Sequence, residues 1–107
     1  MKPGLDRGWY GVRVDKEKVC GDWAAEGFSF GIFRDPPGQE WNDFVHATDE
    51  YVVVAEGCLM IEIGGVRYEA RHGDRARIPA HVSHSLKTLS ADGSVWFYGY
   101  GSARDGQ

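Results

Sequence analysis

Two stretches of the chain decide its fold: residues 38–57 read GQEWNDFVHATDEYVVVAEG, and residues 73–88 read GDRARIPAHVSHSLKT. In both, short apolar runs are separated by glycine, proline or aspartate, and apolar residues do not recur at the spacing of a helix. In DRARI, residues 74–78, charged and apolar residues alternate as they do on a half-buried strand. These features predict short strands linked by tight turns.

Within the two stretches, glycines, a proline and residues that can bind a metal are spaced in an ordered frame. The frame consists of Gly38, His46, Glu50 and Gly57 in the first stretch, and of Gly73, Pro79 and His84 in the second. The chain has only 4 histidines, so a frame that contains two of them marks these stretches as a candidate site.

The same pattern of apolar runs and turn residues extends outward to the rest of the chain. Strands are predicted over residues 9–14, 28–34, 41–46, 51–55, 58–63, 66–70, 75–79, 84–89 and 95–100. The pair Gly64-Gly65 predicts a two-residue hairpin, and Glu56-Gly57 predicts another. An all-β chain with this many short strands is expected to form a sandwich or a barrel, which can enclose one small ligand.

Size and charge narrow the classes of function. The 107 residues are expected to form one domain, residues 1–107, with 42% hydrophobic residues to build its core. Net charge is -4 and no basic stripe is visible, which argues against nucleic acid as a partner. No apolar run reaches the length of a membrane span, and no signal peptide is recognised, so a cytoplasmic location without membrane contact is predicted.

At this point the sequence resembles the cupin superfamily, whose two motifs have the spacing described above. The matches lie at about residues 38–57 and 73–88, and the flanking stretches 35–41 and 95–100 are similar to those of small, stand-alone bacterial cupins. The resemblance implies the cupin fold, a double-stranded β-helix or jelly-roll barrel. It also implies one divalent metal ion inside the barrel.

Three positions depart from the family pattern. The first histidine of the family's metal site is Phe44 here, the glycine of the second motif is His81, and the final asparagine is Thr88. The usual set of three histidines and one carboxylate is thereby reduced to His46, Glu50 and His84. Phe44 is interpreted as a wall of the pocket, with the alternative that it plugs the site and keeps it dry.

The positions of these residues on strands support a shared site. Side chains alternate along a strand, so Asn42, Phe44 and His46 are predicted to point the same way into the barrel. Glu50 follows a short turn and His84 comes from a distant strand. Two imidazoles and one carboxylate form a facial set that suits Fe and that could also hold Mn, Ni, Cu or Zn.

Each of these residues also has an ordinary structural interpretation. An interior histidine can be a satisfied core residue, and Glu50 can be a carboxylate in solvent at the end of a strand. Trp96, Tyr98 and Tyr100 share a strand face and are predicted to line the cavity, although such aromatic stripes more often belong to the core. His72 is predicted to be an exposed turn residue, and His81 an exposed loop residue, with the alternative that His81 lines the mouth of the pocket.

Two functions from different classes follow. The first is a metal-dependent enzyme acting on a small organic molecule, with dioxygenase ahead of isomerase or hydrolase. The second is a non-catalytic domain that binds or senses a small ligand, with or without metal; the missing first histidine favours it. A homodimer is also predicted, because small cupins usually pair and the strand over residues 9–14 could extend a partner's sheet.

Overall fold

We describe residues 1–103 in a computed structural model, in which they form nine strands, one helix and the turns between them. In chain order the elements are β1 Gly4–Asp6, α1 Lys16–Ala25, β2 Gly31–Asp35, β3 Glu40–Phe44, β4 Asp49–Glu56, β5 Cys58–Ile63, β6 Val66–Arg71, β7 Arg75–Ile78, β8 His84–Thr88 and β9 Ser94–Gly101. Over the same residues, no helix is long and apolar enough to cross a membrane.

The strands form two antiparallel sheets that face each other, in the order β1-β7-β4-β9-β2 and β3-β8-β5-β6. The predicted all-β jelly-roll fold is confirmed. Alternate residues of each strand fill the space between the sheets, as the spacing of Leu59, Ile61 and Ile63 on β5 shows. Val52 and Val54 on β4 reach the same core from the opposite sheet.

A helix covers the outer face of the five-stranded sheet, although helical periodicity is almost absent from the sequence. The Asp15 carboxylate accepts hydrogen bonds from the backbone N–H groups of Glu17 and Lys18, which caps the first turn of α1. Only Val19 and Trp23, four residues apart, are buried in this helix. Two apolar positions do not make a recognisable stripe, so the helix was not predicted.

The helix explains why β4 reads as one continuous apolar run. Tyr51 and Val53 pack under Trp23 on the outer face, whereas Val52 and Val54 point into the space between the sheets. A strand that is buried on both faces has no polar alternation.

The strand predicted over residues 9–14 is wrong, because these residues form turns and bends. Trp9 lies against the guanidinium group of Arg75, whose carbon is 3.8 Å from the centre of the indole ring. Arg75 donates two hydrogen bonds to Asp6 on the neighbouring strand β1, at 3.0 and 2.7 Å. The segment therefore offers no edge to a partner's sheet, and the homodimer stays a prediction without that support.

The two predicted hairpins have different outcomes. Gly64 and Gly65, with φ of 56° and 85°, link β5 to β6 in one antiparallel pair, as expected for a turn in which both residues need positive φ. The prediction at Glu56-Gly57 is wrong: β4 and β5 belong to different sheets, so this short link carries the chain from one sheet to the other. A turn signal does not distinguish these two arrangements.

Candidate metal centre

Three side chains from different parts of the fold meet between the two sheets. His46 follows β3, Glu50 lies on β4 of the five-stranded sheet, and His84 begins β8 of the four-stranded sheet. One ligand atom from each lies within 4.8 Å of the others. The sequence predicted this group, and the fold brings its members together, which makes it a candidate site for one divalent ion.

The closest distances in the group involve the Glu50 carboxylate. Its Oε1 atom is 3.2 Å from Nε2 of His84 and 3.7 Å from Nε2 of His46. Glu50 and His84 are buried, and the His46 side chain is 30% exposed. The group therefore lies at the inner end of an opening, with His46 on the solvent side.

Oε1 of Glu50 is a buried oxygen that has no hydrogen-bond partner within residues 1–103. Such an oxygen is unfavourable unless a proton donor or a cation satisfies it.

The His84 ring is oriented by a backbone carbonyl. Its Nδ1 atom lies 3.3 Å from the carbonyl oxygen of Val82. Because a carbonyl only accepts, Nδ1 is the donor in that bond, which leaves Nε2, the nitrogen nearest Glu50, as the atom that could bind a metal. Two imidazoles and one carboxylate with these features fit a divalent transition metal.

The predicted orientation of Asn42 is wrong, because β3 contains a bulge. In the pairing with β8, Trp41 stands opposite Leu86 and Phe44 stands opposite His84. Two residues of β3, Asn42 and Asp43, therefore lie opposite the single residue Ser85 of β8. Asp43 has a φ of 58°, in the left-handed region, and its N–H donates to the Ser85 hydroxyl. The extra residue inverts the alternation, and Asn42 is exposed outside the site.

Phe44 occupies the rim of the site. Its ring centre is 6.1 Å from that of His46 and 6.2 Å from that of His84, and the residue is 37% exposed. The ring thus stands beside the ligand group at the solvent side.

An aromatic cavity of about 110 Å³ adjoins the ligand group. It is lined by Phe33, Trp41, Phe44, His46, Glu50, His84, Leu86, Trp96 and Tyr100. Phe44, Trp96 and Tyr100 were predicted to line it. The sequence did not predict Phe33, Trp41 and Leu86 as lining residues. Trp41 was not predicted because regular alternation, counted back along the strand from His46, points its side chain outward.

Tyr98 does not line this cavity, although it shares a strand face with Trp96 and Tyr100. Its ring lies over Gly31, where a side chain would collide with it, and stacks on Phe33 with ring centres 4.9 Å apart. Because Gly31 has no side chain, the Tyr98 ring can occupy the space above it. The residue therefore packs behind the wall and not in it.

A buried carboxylate that the sequence did not single out holds two walls of the cavity. Oδ2 of Asp35 accepts hydrogen bonds from the indole N–H groups of Trp41 and Trp96, each at 2.9 Å. Trp41 comes from the four-stranded sheet and Trp96 from the five-stranded sheet. Asp35 thereby fixes both indole rings across the barrel.

Tyr100, a wall residue of the cavity, stands opposite Glu50 in the β4–β9 pair. Burial raises the pKa of Tyr100 to about 12, and the negative charge of Glu50 and the neighbouring Tyr98 act in the same direction. The phenol therefore keeps its proton at neutral pH.

The backbone at His81 shows why the family motif has a glycine at this position. It occupies the position of the motif glycine, is exposed as predicted, and has a φ of 66°. Glycine adopts this conformation freely, whereas a side chain makes it costly. The backbone N–H of His81 donates to the carbonyl of His46 at 2.8 Å, so this turn supports a candidate ligand through its backbone.

We expect His81→Gly to raise the free energy of unfolding by about 1 kcal/mol, because it removes the strain of a side chain at positive φ. Urea unfolding measures the change. His72→Gly is the matched control: His72 is an exposed turn residue without positive φ, so glycine there should lower stability slightly. Equal effects at the two positions would contradict this interpretation of His81.

Comparisons with known proteins agree with this architecture. A sequence profile described as Cupin domain matches residues 31–98. No curated protein sequence matches the chain.

Similar solved structures share the fold at low sequence identity. An RmlC-like cupin from Shewanella frigidimarina has a TM-score of 0.64 and 22% identity, covering 73% of this chain and 68% of that chain. The cupin domain of Cnp3 from Schizosaccharomyces pombe has a TM-score of 0.66 and 13% identity, covering 70% and 56%. A salicylate 1,2-dioxygenase from Pseudoaminobacter salicylatoxidans in complex with gentisate has a TM-score of 0.64 and 19% identity. That match covers 68% of this chain but 20% of the dioxygenase chain.

Proposed function

This chain belongs to the Cupin domain family, and from that premise we propose that His46, Glu50 and His84 hold one divalent metal ion that acts on a small organic molecule in the barrel. The observation that carries the proposal is the buried Oε1 atom of Glu50, which lacks a hydrogen-bond partner among the described residues and faces two histidine nitrogens. A bound cation would satisfy that oxygen, and apolar walls alone would not.

The reaction class that we favour is oxygenation of the dioxygenase type, ahead of metal-assisted isomerisation or hydrolysis. When bound by three protein ligands, such an ion has coordination positions free for a substrate and for O₂ or water. The similarity to a gentisate-binding dioxygenase supports this order. Aromatic side chains form most of the cavity wall, and Tyr100 presents a phenol that is protonated at neutral pH.

A non-catalytic module that binds a small ligand is the second candidate. The specific observation in its favour is Phe44, which stands where the family's metal site has its first histidine. A site with one ligand fewer is expected to bind its ion less tightly. In this alternative the same cavity holds a ligand without changing it.

Metal analysis of the purified protein tests the proposal. We expect one divalent ion per chain after incubation with Fe(II), Mn(II) or Zn(II) and removal of free metal, measured by elemental analysis. Incorporation of a redox-active ion together with oxygen consumption would support the enzyme. A protein that takes up none of these ions would contradict the metal site and leave the binding module.

A further inference from the structure

The cavity beside the ligand group is polar at one end only. His46, Glu50 and His84 form that end, and the remaining lining is aromatic or aliphatic: Phe33, Trp41, Phe44, Leu86, Trp96 and Tyr100. One polar group of this second set, the Tyr100 hydroxyl, does not donate to Asp35. The Tyr100 ring stands beside the polar end, with its centre 5.0 Å from that of His46. A ligand that fills the cavity therefore meets hydrogen-bonding groups at one end and hydrocarbon elsewhere.

The two indole rings cannot donate hydrogen bonds to a ligand. Both of their N–H groups are directed to Oδ2 of the buried Asp35, at 2.9 Å. Phe33 packs against both rings, with centres 5.2 Å from Trp41 and 4.8 Å from Trp96. The rings are thus held in fixed orientations, which favours a flat partner over a puckered one.

No lysine or arginine lines the cavity, as far as the chain is described, and its one charged lining group is the Glu50 carboxylate. A second negative charge on a ligand, away from the metal, would be buried without a cation. Such burial is strongly unfavourable. The far end of the ligand is accordingly uncharged.

The volume limits the ligand to about one ring. A dry apolar cavity of ~150 Å³ holds benzene, and the cavity here has a volume of about 110 Å³. It opens to solvent beside Phe44, which is 37% exposed, so one ring can enter with its edge at the mouth.

We infer that this cavity selects a single aromatic ring that carries one metal-binding donor, of the phenol class, and no charged group at its other end. This inference rests on the proposed metal site, and adds the class of ligand. The cavity walls select the shape of the ligand and exclude a charge at its far end. The metal held by the ligand group fixes the position of the ligand's donor atom.

Calorimetric titration of the zinc-loaded protein with three probes tests the inference. Phenol should bind at least about tenfold more tightly than cyclohexanol, which has the same ring size but is not flat. It should also bind at least about tenfold more tightly than 4-hydroxybenzenesulfonate, which places a charge at the far end. Equal or reversed affinities within either pair would overturn the inference.

Two variants locate the binding. Trp41→Leu removes a wall and should weaken phenol binding by about tenfold while metal content stays unchanged. Trp9→Leu removes an exposed tryptophan outside the cavity and should leave phenol binding as in the wild type. Equal affinity in both variants would overturn the inference.

Metal content, measured on the same samples, separates the two proposals. A protein that takes up no zinc overturns the proposed function, and the inference falls with it. Full zinc uptake without a preference for phenol overturns the inference alone.

Discussion

Glu50→Ala and His84→Ala should each lose most of the bound metal, with affinity reduced at least about a hundredfold. The Glu50 and His84 atoms lie 3.2 Å apart although they come from opposite sheets, so each would supply one bond to the same ion. Two remaining ligands are too few to retain a divalent ion against water and buffer. Elemental analysis after gel filtration measures the loss.

The control for this experiment is His72→Ala, which removes an exposed turn histidine outside the ligand group and should leave metal content unchanged. Thermal unfolding of the metal-free proteins separates ligand loss from misfolding. Because Oε1 of Glu50 is buried and has no hydrogen-bond partner in residues 1–103, its removal should not lower the stability of the metal-free fold. Wild-type metal content in both Glu50→Ala and His84→Ala would disprove the site.

Most of the strands could be predicted from the sequence, because they depend on local signals. Alternation over residues 58–63 and the pair Gly64-Gly65 predict β5 and its hairpin, and the structure has both. The motif spacing likewise predicts which three residues meet, although they come from separate strands. These features follow from short-range periodicity and from the family resemblance.

What the sequence did not reveal depends on tertiary packing. Helix α1 is stabilised by the burial of Val19 and Trp23 on the sheet. Two buried residues are too few to form a recognisable apolar stripe, so the sequence did not predict this contact. The bulge in β3 depends on pairing with β8, and it moved Trp41 into the cavity and Asn42 out of it. Asp35 acquires its role only because two tryptophans from different sheets converge on one oxygen.

Phe44→His should tighten metal binding by about tenfold or more, because it restores a ligand at the position where the family has one. The ring centres of His46 and His84 are 5.0 Å apart, and the Phe44 ring is 6.1 and 6.2 Å from them. An imidazole at position 44 would therefore have nearly the spacing that the two candidate ligands have from each other. Competition with a chelator of known affinity measures the change.

The bulge supplies a matched control on the same strand. Asn42→His places an identical side chain two residues earlier, at the position that simple alternation would point into the barrel but that is exposed here. It should leave metal affinity unchanged, since its ring would project into solvent. Tighter binding in Asn42→His than in Phe44→His would show that β3 pairs without the bulge. Unchanged affinity in both variants would mean that position 44 does not reach the ion, and that Phe44 bounds only the cavity mouth.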